Sequence, residues 1–306
     1  QKYKKKYCKS FIFGLDLSDK KLNNKWKNMI ILKEQKELKI YLAKLNSNSI
    51  GFVPTMGALH QGHMSLIKKS NKSCDVTICS IYVNPTQFNN ADDLLKYPKT
   101  IKDDIKILQE NKCDILYCPE DDDLYKVNEK RIEYRFNGIE LYLEGKYRPG
   151  HFNGVATIVE KLLNIINPQK IFLGEKDLQQ LMIIKNLVMQ KNLLTEVIGC
   201  PTIREENGLA KSSRNQHLSK IDRERCGVIY KQLIDFKNLY KKMNLNDLKN
   251  QIITSITNGN KIKIEYLELV NIDTFESVEA YHKNIKYAVC IAVTISNVRL
   301  IDNIIL

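Results

Sequence analysis

The chain has 306 residues, 43% apolar and 27% charged, and a formal net charge of +13. That length supports one large or two medium domains, and the absence of any run of about 18 apolar residues excludes a membrane-spanning helix. The charge is uneven: nine lysines against two aspartates give residues 1–30 a net +7, so segment 1–28 reads as a solvated lysine-rich extension and not as a nucleic-acid-binding module.

Beyond residue 29 apolar runs alternate with helical patterns. Helix 33–45 leads to strand 50–53. Helix 64–71, strand 76–83, helix 100–111 and strand 115–117 follow. Helix 155–166, strand 170–173, helix 178–191 and strand 196–199 complete the series. The order implies an α/β fold, a Rossmann-like open parallel sheet with helices on both faces. Ligands of such sheets bind beyond the carboxyl ends of the strands. After residue 203 the pattern changes to helices 221–240 and 245–256 and strands 263–270, 287–296 and 299–301. This predicts a smaller C-terminal α+β domain able to close over the crevice as a lid. The expected division is 1–28, 29–202 and 203–306.

Polar motifs sit just after the strands. Residues 54–63, Pro-Thr-Met-Gly-Ala-Leu-His-Gln-Gly-His, carry a turn into a helix start with His60 and His63. A helix N-terminus offers free N–H groups and a positive dipole end, and two imidazoles add donors suited to a nucleotide's phosphates. Asn84 and Gln87 offer amides to a small polar substrate or to their own turn. Lys176 is a mobile cation after a strand; the adjacent Asp177 suits ribose hydroxyls or a helix cap. Of Gln179 and Gln180, neighbours on a helix, one points into the crevice. Lys211-Ser-Ser-Arg214 combines two hydroxyls with two cations as a phosphate clamp, or caps a helix. Arg148 and His151 lie in a Gly/Pro loop within reach of a carboxylate or phosphate, unless that loop is purely structural. Asp103 and Asp104 open a helix, either as caps or beside a magnesium–phosphate complex. The scattered cysteines read as free buried thiols, not zinc ligands, which fits a reducing compartment.

Taken together, Pro54–His63, Val83-Asn-Pro-Thr-Gln-Phe88, Arg148-Pro-Gly-His-Phe-Asn-Gly-Val155, Gly174-Glu-Lys-Asp-Leu-Gln-Gln180, Arg204–Asn215 and Arg299-Leu-Ile-Asp-Asn303 resemble the pantoate–β-alanine ligase (pantothenate synthetase) family. The family is part of the His-x-Gly-His nucleotidyltransferase group. The resemblance implies ATP-dependent joining of pantoate and β-alanine through a pantoyl adenylate, releasing pyrophosphate and then AMP. It implies ATP contacts at Met56, Gly57, Ala58, Leu59, His60, Gln61, Gly62, His63, Gly174, Glu175, Lys176, Asp177, Ile203, Lys211, Ser212, Ser213 and Arg214. His63, His60 and Lys176 would be catalytic. Gln87, Gln180, Asn84 and Arg148 would hold pantoate or β-alanine, and Asp103 would meet the Mg2+ that accompanies ATP. A cytoplasmic homodimer, free of nucleic acid and membrane, is also implied. One departure is Lys211, which stands where the family carries methionine and adds a cation.

Overall fold

The computed structural model describes residues 29–45, 47, 49–126 and 132–306; the lysine-rich segment 1–28 lies outside the described residues. The first part of the chain runs β1 (Ile30–Leu32), α1 (Gln35–Lys44), β2 (Ile50–Thr55), α2 (Gln61–Ser73), β3 (Val76–Ile81), α3 (Ala91–Lys96) and α4 (Ile101–Glu110). It continues with β4 (Ile115–Tyr117), α5 (Asp121–Leu124), α6 (Leu143–Tyr147), α7 (His151–Ile166), β5 (Lys170–Gly174), α8 (Leu178–Gln190) and β6 (Glu196–Cys200). The six strands form a parallel sheet in the order β1-β4-β3-β2-β5-β6.

Two-residue periodicity decides which face each strand residue serves. Phe52, Ile78, Ile115 and Ile171 pack with α1, α7 and α8, through residues such as Leu38, Ile158 and Leu181. Their chain neighbours Val53, Cys79, Leu116 and Phe172 pack on the opposite face with Ile67 of α2 and Leu108 of α4. Both faces are therefore covered, the arrangement that the unbroken apolar strands require. The chain leaves β2 toward β3 and returns to β2's other side at β5. The sheet thus reverses direction between β2 and β5, the position where a crevice opens at the strand ends.

The remainder holds α9 (Lys220–Arg225), α10 (Gly227–Leu239), α11 (Leu245–Thr257), and an antiparallel sheet of β7 (Lys263–Asn271), β8 (Tyr287–Ile295) and β9 (Val298–Ile305). One face of this sheet packs on α10 and α11 through Leu233, Phe236, Leu248 and Ile252. The other face, with Tyr266, Val270, Ala288, Cys290 and Ala292, joins the core of the parallel-sheet unit. The central strand β8 is consequently buried on both sides, which explains its continuous apolar sequence.

Several elements differ from the sequence reading: the short helices α3, α5 and α6 lie where no helix was expected, and β9 extends to Ile305 instead of ending at 301. The three-residue edge strand β1 was not expected; Met29 to Leu32 is apolar but very short, and only pairing with β4 makes it a strand. The helix expected over 221–240 is interrupted at Cys226. A methyl group at Gly227 would stand 2.8 Å from the Asn207 carbonyl oxygen, so the 207 loop presses against the chain at this break.

Candidate active site

The turn after β2 places Gly57 and Ala58 in left-handed conformations, with φ of 79° and 49°. This folds the backbone so tightly that two successive amides face inward. Asp104, 2% exposed, receives them: its carboxylate oxygens accept from Ala58 N at 3.0 Å and Leu59 N at 2.8 Å. A charged acceptor on two buried N–H groups fixes the loop that delivers the histidines.

His60 is the N-cap of α2 and His63 its third residue. Gly62 N donates to His60 Nδ1 at 3.1 Å, and His60 N donates to His63 Nδ1 at 3.2 Å. Because each Nδ1 accepts, each neutral ring carries its proton on Nε2. The two rings, 4.1 Å apart, therefore keep Nε2–H as the donor left for a ligand. Burial, with Lys176 and Lys211 nearby, lowers the His60 pKa to about 4. Burial, then His60 and Lys176, holds His63 well below its usual value. Both rings are neutral hydrogen-bond donors at pH 7.

Lys176 follows β5, and its ammonium is 3.6 Å from Asp177 Oδ1. Lys211 Nζ is 3.9 Å from Glu205 Oε1, whose stronger partners are Asn215 and Arg223. Arg214 pairs with Asp93 at 2.9 Å. The Ser212 side chain accepts from Arg214 N, and the Ser213 hydroxyl faces Tyr97 at 3.4 Å.

These groups converge. Met56, His60, Gly62, His63, Gly174, Lys176, Asp177, Ile203, Lys211, Ser212, Ser213 and Arg214 line one crevice of about 230 Å3, together with Gln87, Gln180 and Arg148. Lys176, Asp177, Ser212, Arg214, Arg148 and Tyr97 also border an adjoining chamber of about 600 Å3 against β8 and β9. Other expected contacts are placed elsewhere. Gly57, Ala58 and Leu59 are buried beneath the crevice as the turn itself, Gln61 is exposed on α2, and Glu175 does not line the crevice. Asn84 is structural: its side chain bonds Gly154 O at 3.0 Å and the Tyr125 hydroxyl at 2.9 Å. Gln179 is buried against Glu144 N, Ile139 O and Tyr142 O, which leaves Gln180 to face the crevice. Asp103 is exposed in the first turn of α4 and does not line the crevice; its neighbour Asp104 is the inward residue. Side chains one residue apart on a helix diverge by about 100°, so only one of this pair can face the loop.

Arg148 sits in a network that motif spacing did not reveal. Its Nη1 donates to His151 Nε2 at 3.0 Å. Arginine only donates, so Nε2 accepts and Nδ1–H donates to Gln87 O at 2.8 Å. Burial, then the Arg148 charge, lowers the His151 pKa to about 4. The same Nη1 also meets Glu144 Oε2 at 3.4 Å. Glu144, 6% exposed, also accepts two bonds from Arg299 at 2.7 and 2.8 Å and one from the Tyr266 hydroxyl at 2.8 Å. Burial alone would raise its pKa; Arg299, with Arg148 and Tyr266, outweighs that and lowers it to about 2. Glu144 lies in α6, so the stretch expected as a Gly/Pro loop is helical at its start, and neither of the main partners of Glu144, on β7 and β9, is near it in sequence.

A doubly wound parallel sheet, a crevice at its reversal, and a helix start ringed by imidazole and cationic donors define an α/β enzyme of the nucleotide-binding class. The comparisons with known proteins sharpen this. Residues 30–305 match the pantoate-beta-alanine ligase family, and the chain belongs to that family. The pantothenate synthetase of Flavobacterium psychrophilum is 43% identical over 279 residues, 90% of this chain and 99% of the relative. That of Azobacteroides pseudotrichonymphae is 45% identical over 281 residues, with the same coverage. The crystal structure of pantothenate synthetase from Thermus thermophilus superposes with a TM-score of 0.82 at 32% identity, covering 90% and 99% of the two chains. A pantoate-beta-alanine ligase from Francisella tularensis, solved in complex with beta-gamma ATP and beta-alanine, gives 0.75 at 41% identity, covering 90% and 97%. The chain is therefore a ligase that joins pantoate and β-alanine.

Proposed function

We propose that this chain activates pantoate with ATP as pantoyl adenylate and then transfers the pantoyl group to β-alanine, all in the described crevice. In the first step a pantoate carboxylate oxygen attacks the α-phosphorus of ATP and pyrophosphate departs. In the second the β-alanine amine attacks the acyl carbon and AMP leaves. A carboxylate resists amines at neutral pH, and the adenylate makes its oxygen a leaving group. The protein's task is to align reactants and stabilise negative charge at phosphorus.

One observation carries the reading: two imidazole Nε2–H donors, Lys176, Lys211 and Arg214 share a crevice with the neutral amides of Gln87 and Gln180. The charged set suits the phosphates, and the amides suit the hydroxyls and carboxylate of pantoate. Neutral His60 and His63 donate hydrogen bonds without attracting an anion on their own account; Lys176 and Arg214 supply charge. Arg148, held between Glu144 and His151, is aimed at a substrate carboxylate. Mg2+, when bound, would be carried by the ATP phosphates and would offset their charge, the manner in which this ion is usually held in phosphate-transfer sites. Asp103 faces away from that route, and the Asp104 carboxylate is occupied by the His-loop amides.

Residues 203–306 act in this reading as a lid whose β9 borders the chamber. A cytoplasmic homodimer completes the proposal; seven free cysteines among the described residues fit a reducing compartment, and sedimentation tests the dimer. The adenylate is tested by pyrophosphate exchange into ATP. Exchange is expected to require pantoate and Mg2+ but not β-alanine. Exchange that depends on β-alanine would replace the two-step scheme with a concerted one.

A further inference from the structure

The Glu175–Asp177 turn carries Lys176 between β5 and α8. Its backbone is gripped from outside by a residue of the C-terminal sheet. Asn303 on β9 donates both of its amide hydrogens to successive carbonyls, Glu175 O at 2.9 Å and Lys176 O at 2.8 Å. These carbonyls belong to the two peptide planes that flank the Lys176 Cα. Fixing both planes fixes φ and ψ at that residue, and with them the direction in which the lysine side chain leaves the backbone.

Asn303 is itself immobilised. It is 7% exposed and its N–H donates to Asp302 Oδ1 at 2.8 Å. Asp302, 6% exposed, makes a two-pronged pair with Arg204 at 2.6 and 2.9 Å. The Arg204 guanidinium lies 3.7 Å over the Tyr230 ring. Arg204 belongs to the stretch that leaves β6 and leads to Lys211 and Arg214. One cluster thus registers the Lys176 turn against the segment that bears the other two crevice cations.

We propose that Asn303 is a positioning residue for the ligation reaction, aiming Lys176 through the two peptide planes it holds. The proposal rests on the reading of Lys176 as a phosphate ligand. Asn303 lines neither the crevice nor the adjoining chamber; its effect passes through the lysine.

The test is a double-mutant cycle on the full chain. Asn303→Ala is expected to lower kcat/KM for ATP by about ten- to a hundredfold, the scale of a small misplacement in a preorganised site. KM for β-alanine and the melting temperature should change little. Asn303→Ser, which keeps one donor, should fall between Ala and wild type. In a Lys176→Ala background, Asn303→Ala should bring no further loss, because the group it aims is gone. Wild-type turnover in Asn303→Ala, or a loss that persists in full in the Lys176→Ala background, overturns the proposal while the lysine reading stands. Near-normal turnover of Lys176→Ala alone removes that reading, and the proposal with it. If the alanine variant does not fold, the serine variant decides the same comparisons.

Discussion

At the scale of single residues, the site works by arranging donors in advance. His60 and His63 cap their own helix and each other, which fixes their tautomers before any ligand arrives. Lys176 and Arg214 hold only partly exposed carboxylate partners, Asp177 and Asp93, that a phosphate can displace. His63→Ala and Lys176→Ala are each expected to cut pantoate-dependent pyrophosphate exchange by about a hundredfold, the scale of one lost preorganised contact; ATP–pyrophosphate isotope exchange measures it. The histidines also set a pH dependence. His60 and His151 titrate at about 4 in the folded chain, against an ordinary 6.5. Between those values the unfolded chain binds more protons, so stability rises with pH there and is lost as pH falls. Glu144, lowered from 4.5 to about 2, loses its contribution as pH falls from about 4.5 toward 2. Melting temperature is therefore expected to be flat between about pH 7 and 8 and to decline from about 6.5 toward 4.5. His151→Asn, which cannot titrate, should flatten the decline; an unchanged slope would mean that His151 is not held neutral.

At the scale of elements, the turns that carry the histidines, Gln87 and Lys176 are each braced by another element. Asp104 on α4 braces the His loop, and α7 braces the turn that bears Gln87. The second contact is close: a methyl group at Gly154 would lie 2.4 Å from the Thr86 carbonyl oxygen and 2.6 Å from Gln87 Cα. Backbone cannot yield as a flexible side chain does. Gly154→Ala is expected to cost about 2–3 kcal/mol in urea unfolding and to raise KM for pantoate more than KM for ATP. A stability loss with both KM values unchanged would show that α7 does not position Gln87. Much of this scale was legible in the sequence. The strand–helix alternation, the parallel order and the loops after β2, β5 and β6 followed from apolar periodicity and turn residues. Helix ends shifted by a few residues, because caps such as His60 are not among the usual cap-forming types. The choice of Asp104 over Asp103 was not legible: adjacent carboxylates read alike until the helix is rotated against its neighbour.

At the scale of the whole molecule, the C-terminal sheet is built into the site. Its inner face shares the main core, Arg299 grips Glu144, and Asn303 holds the Lys176 turn. If residues 203–306 close over the crevice as proposed, the movement must keep or remake these contacts. The Glu144 pair is the most exposed to test, since removing one partner strands a buried charge. Arg299→Ala is expected to destabilise the chain by about 3 kcal/mol and to weaken substrate binding through Arg148. Denaturant unfolding and pantoate KM report the two effects. A neutral result on both would mean that Tyr266 and Arg148 suffice to hold the carboxylate.

The sequence by itself determined the family, the α/β alternation and the charged and amide residues of the crevice, because these depend on residue types at short, fixed spacings along the chain. Tertiary structure alone decided which of two neighbouring residues faces inward, at Asp103/Asp104 and Gln179/Gln180. It alone joined Glu144 to Arg299 and Asn303 to Lys176 across more than a hundred positions. Such contacts arise from packing between distant segments, and no local pattern of side chains encodes them.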